Sequence, residues 1–168
     1  MERVKVVYGS TTGCTEAAAR QIAASFGVEP VNVAAASAAD FCAGLLILGS
    51  STWGVGELQD DWAANVSLLD NADLAGVKVA VFGLGDQCGF GDTFCDAMAL
   101  LARKAVERGA VLTGQTPADG YISAASMAVR DGKFCGLALD DCNEAEKTAG
   151  RIAAWVAALK AGQEHFLP

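Results

Sequence analysis

The sequence predicts an α/β fold in which helices cover both faces of a doubly wound parallel sheet. Apolar, β-branched segments alternate along the chain with segments whose apolar residues recur at helical spacing. The apolar segments at 45–48 and 77–84 are continuous and lead into glycine, which is typical of strands buried on both faces. The length of 168 residues and the apolar content of 52% predict one globular domain over residues 1–168.

The parallel sheet is expected to contain five strands before the last segment, and one clear helix follows the first strand. The first strand is expected at 4–8, where a β-branched and aromatic segment stops at glycine. The following helix has apolar residues at Ala18, Ile22 and Phe26, spaced for one helical face. Further strands in the main sheet are expected at 31–33, 45–48, 77–84 and 110–112.

The second half of the chain contains two further helices and an interruption. Asp92 or Thr93 is expected to cap a helix that reaches about Arg108. Residues 114–133 are polar and glycine-rich without a helical pattern, and 133–139 is again strand-like, so we expect an insertion that splits the last strand. The final helix is indicated by an apolar stripe formed by Ile152, Trp155, Val156 and Leu159.

The charge of the chain is acidic and unevenly distributed. The net charge is −8, and one segment, 57–96, holds eight of the 20 acids beside a single base, Lys78. A surface of this sign repels nucleic-acid phosphates and anionic membranes, so neither is an expected partner. An acidic surface can attract a basic partner protein. The alternative is that this surface is only solvated and maintains solubility. The eight acids are Glu57, Asp60, Asp61, Asp70, Asp73, Asp86, Asp92 and Asp96.

The start of the chain and its cysteines predict a cytoplasmic protein. The N-terminal residues pass from charged positions directly into a strand, and no apolar stretch approaches about 20 residues. The six cysteines are therefore expected to be reduced thiols. Their spacing is too wide for the usual metal hairpins, so no metal is expected, and the histidine at His165 is given no role.

The loop after the first strand has the composition of an anion site. Residues 9–15 read Gly-Ser-Thr-Thr-Gly-Cys-Thr and lead into a helix, which combines hydroxyl donors, free N–H groups and a positive helix end. The lysine of a nucleotide-triphosphate loop and the glycine spacing of a dinucleotide loop are both missing. These features favour a single terminal phosphate held by neutral donors. The alternative is a hydroxyl-rich turn that only caps its helix.

A phosphatase is the competing interpretation of the same loop. Cys14 and Arg20 have the spacing of a thiolate nucleophile and a phosphate-binding arginine in tyrosine phosphatases. Arg20 would lie nearly two turns into the helix rather than in the loop. This interpretation also leaves the next two loops unexplained, so we rank it lower.

Two further loops each present an aromatic residue among small residues. Trp53 stands between threonine and glycine in the loop 50–59, and Phe90 stands between glycines in the loop 85–94. Both loops follow predicted strands, and ligands of such folds bind at the carboxyl ends of strands. Two aromatic rings on neighbouring loops can enclose a flat ring system, whereas each alone can also be a loop anchor.

These loops carry a family resemblance. The motifs Gly-Ser-Thr-Thr-Gly-x-Thr-Glu, Thr-Trp-x-x-Gly-Glu-Leu-Gln-x-Asp-Trp and Gly-Leu-Gly-Asp-Gln-x-Gly-Phe-Gly-Asp-x-Phe resemble, in order, the three cofactor loops of flavodoxins. The segment 119–140 resembles the long-chain branch, in which a loop interrupts the fifth strand. The resemblance covers essentially the whole chain. It implies a flavodoxin-like sheet of five parallel strands in the order 2-1-3-4-5, with the fifth strand split.

The resemblance implies a non-covalently bound FMN. By motif match, the first loop binds the phosphate, Trp53 lies against one ring face, Phe90 takes the outer face, and Asp86 meets the pyrimidine end. The position that matches Asp140 is expected near the ribityl chain. The cofactor-binding residues implied are Ser10, Thr11, Thr12, Gly13, Cys14, Thr15, Ser51, Thr52, Trp53, Gly54, Gly56, Leu84, Gly85, Asp86, Cys88, Phe90, Asp92 and Phe94.

Two positions depart from the family pattern. Phe90 stands where the family usually has tyrosine, which keeps stacking but removes a polar group at the rim. Gly54 stands where long-chain relatives often have asparagine, and glycine adopts positive φ at little cost. In the family, the peptide at this position turns to accept a hydrogen from N5 of the half-reduced flavin. We therefore predict a well-stabilised neutral semiquinone.

The predicted function is soluble one-electron transfer at low potential. The reduced ring would lie near Asp86, Asp92 and Glu57 without a basic motif, so adding the last electron is disfavoured. The carrier is expected to cycle mainly between semiquinone and hydroquinone, as a monomer, with a basic-faced reductase and acceptor as redox partners. No catalytic residues are expected. The alternative is an FMN-dependent NAD(P)H:quinone reductase of the same fold, although no nicotinamide motif is visible.

Overall fold

A computed structural model describes residues 3–122 and 125–162 of the chain. His165, which was given no role, lies outside these residues. Ten strands are found within them. In chain order the strands are β1 Val4–Gly9, β2 Pro30–Asn32, β3 Leu45–Trp53, β4 Glu57–Leu58, β5 Lys78–Leu84, β6 Val111–Thr113, β7 Thr116–Pro117, β8 Val129–Arg130, β9 Lys133–Phe134 and β10 Leu137–Leu139.

The main sheet has the predicted parallel order. Strands β2, β1, β3 and β5 lie side by side, and both β6 and β10 pair with the outer edge of β5. Lys78 of β5 aligns with Val111 of β6, and Phe82 of β5 aligns with Leu137 of β10. Strands β6 and β10 are thus two pieces of one fifth strand. The predicted order 2-1-3-4-5 is confirmed.

The segment between these two pieces forms a second, smaller sheet. Strands β7, β9 and β8 pair antiparallel in that order. The expectation of one strand over 133–139 is therefore wrong, because Lys133–Phe134 belongs to the small sheet and only Leu137–Leu139 joins the main one. The change of sheet occurs at Gly136, where a Cβ atom would lie 1.9 Å from the carbonyl oxygen of Val81.

Helices cover both faces of the main sheet, as predicted. On one face, α1 (Cys14–Ser25) and α5 (Ala145–Lys160) pack against residues such as Val6 and Ile47. The other face is covered by α2 (Asp60–Asn65), α3 (Ser67–Asp70) and α4 (Asp96–Glu107), which bury alternate strand positions. No helix within the described ranges has the length and apolar character needed to cross a membrane.

Two helical features differ from the sequence prediction. Helices α2 and α3 were not predicted, because each is short and has one buried side chain, Trp62 and Leu69 respectively, which is too few to form an apolar stripe. Helix α4 begins at Asp96 and not at Asp92 or Thr93, which lie in a single 3₁₀ turn. The chain first buries Phe94 and Cys95 before the helix can start.

Candidate ligand cleft

Loops at the carboxyl edge of the main sheet enclose a cavity of about 300 Å³. The loops follow β1, β3, β5 and β10, and the cavity lies where the strand order reverses between β1 and β3. The lining residues are Thr12, Cys14, Thr15, Ser51, Thr52, Trp53, Gly54, Leu84, Gly85, Asp86, Phe90, Thr93, Phe94, Cys95, Asp141 and Cys142.

Most of the predicted site residues meet in this cavity. Six of them lie on the same loops without lining it: Ser10, Thr11, Gly13, Gly56, Cys88 and Asp92. Four lining residues were not predicted: Thr93, Cys95, Asp141 and Cys142. Asp141 and Cys142 follow the carboxyl end of β10, so the rule that ligands bind at that edge would have found them.

The first loop leaves a helix end open toward the cavity. Gly13 adopts a left-handed conformation with φ of 94°, and no described side chain caps α1. The N–H of Gly13 donates to the hydroxyl oxygen of Ser10 at 3.1 Å, which closes the turn before the helix. Thr12, Cys14 and the buried Thr15 line the cavity beside this helix end. Such an end attracts an anion through N–H groups and hydroxyls alone.

The phosphatase geometry is not formed at this loop. Arg20 lies on the exposed surface of α1, where its guanidinium binds Glu16 one turn away at 2.7 Å. Glu16 also raises the pKa of Arg20 through that hydrogen bond. Arg20 is not among the residues that line the cavity, although Cys14 is.

The second loop holds Trp53 in a short hairpin. Trp53 of β3 pairs with Glu57 of β4, and Gly54 between them has φ of 54°. The indole N–H of Trp53 donates to the hydroxyl of Ser51 at 2.9 Å, while 41% of the side chain stays exposed. The ring is therefore fixed in direction but not buried, as a stacking surface requires.

The third loop is shaped by the carboxylate of Asp86. Its Oδ1 atom accepts hydrogen bonds from the N–H groups of Cys88 at 3.0 Å and Gly89 at 2.8 Å and from the amide of Asn143 at 2.8 Å. The bond from Gly89, followed by that from Asn143, lowers the pKa of Asp86 below its usual range. Phe90 follows this turn and is 62% exposed at the cavity rim.

A fourth loop, 140–144, completes the wall. Asp140 is fully buried and accepts from the N–H groups of Gln87, Cys142 and Asn143 at 3.2, 3.1 and 3.0 Å. Asp140 therefore joins the third and fourth loops from behind the cavity, whereas Asp141 lines it.

The lining is negative or neutral in charge. Asp86 and Asp141 contribute carboxylates, and the lining residues include no lysine, arginine or histidine. Burial, with a smaller contribution from Asp86, raises the pKa of the Cys142 thiol at this wall. Within the described ranges no three His, Cys, Asp or Glu side chains are grouped to hold a metal ion.

The chain is a doubly wound α/β protein with an open cavity at the carboxyl edge of its sheet. The family model described as Flavodoxin matches residues 6–155. The chain is 46% identical over 167 residues to a flavodoxin of Picosynechococcus sp., with 95% of this chain and 97% of the relative covered. It is 42% identical over 176 residues to Flavodoxin 1 of Azotobacter vinelandii, with 100% and 99% covered.

A solved structure agrees with these relatives. The flavodoxin of Fusobacterium nucleatum bound to flavin mononucleotide has a TM-score of 0.90 and 30% sequence identity, with 96% of this chain and 99% of that chain covered. This chain belongs to the flavodoxin family. The resemblance found in the three loop motifs is confirmed.

Proposed function

We propose that this chain is a single-domain electron carrier that holds FMN non-covalently in the cleft. One observation carries the proposal: the cavity joins an open, hydroxyl-rich helix end to two exposed aromatic residues, Trp53 and Phe90. This arrangement suits a phosphate at one end of a ligand and a flat ring at the other. The Fusobacterium nucleatum relative bound to flavin mononucleotide supports the same ligand.

In this proposal each loop has one task. The first loop binds the phosphate through its hydroxyls and the N–H groups at the start of α1. Trp53 and Phe90 flank the ring, and the turn formed around Asp86 meets its polar edge. The other residues predicted on these three loops are proposed to contact FMN through their backbone or side chains. Bound FMN supplies the one-electron redox chemistry, so no side chain has to act as an acid, base or nucleophile.

The negative charge at the cavity wall is proposed to give the carrier a low redox potential. The hydrogen bonds to Asp86 favour its ionised form, and Asp141 adds a second carboxylate without a basic side chain in the lining. Negative charge at the wall disfavours further negative charge on a ligand. The carrier is therefore proposed to work mainly between the half-reduced and fully reduced flavin. Gly54, at φ of 54°, permits the peptide rotation that the half-reduced form requires.

The acidic residues near the cleft are proposed to attract a basic redox partner. Glu57 of β4, Asp60 at the start of α2 and Asp92 of the third loop are exposed near the carboxyl edge of the sheet. Asp73 precedes β5 and so lies at the opposite edge, and Asp96 is buried and bound to Ser126. Only part of the acidic segment thus belongs to the proposed docking rim.

The proposed partners, oligomeric state and location follow from the charge and the thiols of the chain. A reductase and an acceptor are the proposed partners, each with a basic face, and the carrier itself is proposed to act as a monomer. The six cysteines are free in the structure, which suits the reducing conditions of the proposed cytoplasmic location.

The spectrum of the purified protein tests the function. We expect a yellow protein with flavin absorbance and strongly quenched flavin fluorescence. A colourless protein that takes up no FMN would contradict the proposal. Consumption of NAD(P)H with a quinone, in the absence of a partner reductase, would instead support the enzyme alternative.

A further inference from the structure

Gln59 links the first loop to the second, although it does not line the cavity. It stands directly after β4 and caps α2, and its side chain is 1% exposed. Its backbone N–H donates to the hydroxyl of Ser50 on β3 at 3.3 Å. A buried amide with this many partners is held in one position.

The orientation of the Gln59 amide follows from its partners. The backbone N–H groups of Asp61 and Trp62 point at one atom of the amide, at 2.9 and 3.3 Å. An N–H group can only donate, so this atom must be the oxygen, Oε1. The nitrogen, Nε2, therefore faces the other way, toward Asp61 Oδ2 at 3.1 Å and toward Thr11 Oγ1 at 3.0 Å.

This orientation determines what Thr11 can do. The amide nitrogen can only donate, so the hydroxyl oxygen of Thr11 must accept, and its proton must point away from Gln59. The Thr11 hydroxyl remains a donor for a ligand at the first loop. The backbone before the first loop also passes close to Gln59. A Cβ atom at Gly9 would lie 2.2 Å from Oε1 of Gln59 and 2.7 Å from the side chain of Trp62.

We propose that Gln59 is a positioning residue for the phosphate of FMN: it fixes the first loop through Thr11 and keeps the Thr11 hydroxyl as a donor. This inference rests on the proposed function. It assigns to a residue of the second loop, 48 positions away from Thr11, a part in selecting flavins that carry a phosphate.

Gln59→Glu is the sharpest variant. A glutamate oxygen still accepts the N–H groups of Asp61 and Trp62, so α2 stays capped. The second carboxylate oxygen can donate neither to Thr11 nor to Asp61 Oδ2. The variant is therefore made in an Asp61→Asn background, so that no second carboxylate faces it, and is compared with Asp61→Asn alone. In this pair of variants the Thr11 hydroxyl must turn its proton inward. We expect FMN affinity to fall about tenfold while riboflavin affinity changes less than about twofold. The measurement is titration of the apoprotein by quenching of flavin fluorescence.

Three controls separate positioning from the effect of added charge. Gln21→Glu adds the same charge on the exposed face of α1 and is expected to leave both affinities near wild type. Gln59→Met removes the donor to Thr11 without adding a charge, and it too should weaken FMN binding more than riboflavin binding. In a Thr11→Val background, Gln59→Glu should add less than about twofold, because its partner is already removed.

The inference is overturned if FMN and riboflavin lose affinity equally, if neither changes, or if Gln21→Glu reproduces the loss. Inorganic phosphate provides a test without flavin: it should raise the Tm of the wild-type apoprotein and not that of Gln59→Glu. A wild-type protein that binds neither flavin would remove the proposed function, and the phosphate shift would then decide the role of Gln59.

Discussion

Single side chains in the cleft act mainly by holding the backbone of its loops. Asp86 accepts three hydrogen bonds within and beside its own turn, and Asp140 joins the third loop to the fourth. Gln59 does the same for the first loop. Trp53 and Phe90, which are expected to touch a flavin, are held by neighbours on their own loops, Ser51 and the turn around Asp86.

Glu144 joins the third and fourth loops through its bond to Gln87, and this link depends on pH. It accepts hydrogen bonds from Lys147, Gln87 and Arg151, which together lower its pKa from 4.5 to about 2. A lowered folded pKa means that this contribution to stability is present above about 4.5 and is lost as the pH falls toward about 2. We expect the Tm of the wild type to fall more over this window than the Tm of Glu144→Gln. Equal slopes in thermal unfolding between pH 5 and 2 would contradict this role.

Gly54 is the residue through which the second loop would affect the redox states. Its φ of 54° makes Gly54→Ala unfavourable by about 1 kcal/mol, and a Cβ atom there would lie 2.9 Å from Glu57 Oε2. We expect Gly54→Ala to lower the yield of half-reduced flavin in a dithionite titration. Gly27→Ala is the matched control, since Gly27 has φ of 68° and open space beside it after α1. An unchanged yield in Gly54→Ala would contradict the prediction.

Whole elements are predictable from sequence where their buried face is regular. Helix α1 has apolar residues one turn apart, and β5 is a continuous apolar segment, so both lie close to their expected positions. Strand β3 begins where it was expected but continues to Trp53, into the segment expected as a loop, because its end pairs with β4. The start of α4 was misplaced because Phe94 and Cys95 enter the core before the helix begins. The split of the fifth strand was predictable, but the use of Lys133–Phe134 in a second sheet was not.

The loops that enclose the cleft bring together cysteines far apart in sequence. Cys14 starts α1 and Cys142 lies in the fourth loop, and both are exposed and line the cavity. We expect FMN to protect these two thiols of the apoprotein from a maleimide, because a bound ligand covers the cavity wall. Cys42, exposed outside the cleft, is the internal reference and should react equally with and without FMN. The readout is peptide mass spectrometry. Equal labelling of Cys14 and Cys142 with and without FMN would contradict the proposed site.

At the scale of the whole molecule, the sheet divides the acidic segment between its two edges. Asp92 lies beside the cleft, whereas Asp73 lies before the amino end of β5. Asp70 also lies away from the cleft, where it binds Lys104 of α4 at 2.8 Å. Charge that is contiguous in the sequence therefore produces an acidic rim on one side only.

This division predicts which charges guide a partner. We expect reduction of the carrier by a basic-faced reductase to slow as ionic strength rises, since long-range attraction is screened. Asp92→Asn should slow the reaction at low salt by about two- to tenfold, whereas Asp73→Asn should not. Stopped-flow kinetics at several salt concentrations provide the measurement. A rate that changes with neither salt concentration nor Asp92→Asn would mean that the acidic residues serve solubility only.

Local patterns of residues were enough to predict the fold class, the three loops after the first, third and fourth parallel strands, and the family to which the chain belongs. These features depend on residues contiguous in the chain or on strands that must end at the same edge of a sheet. Other features required the folded chain: that Gln59 orients Thr11, that Asp140 lies behind the wall while Asp141 and Cys142 line it, and that Asp70 binds Lys104. The physical reason is that these contacts depend on how distant loops approach one another, which no local pattern of residues records.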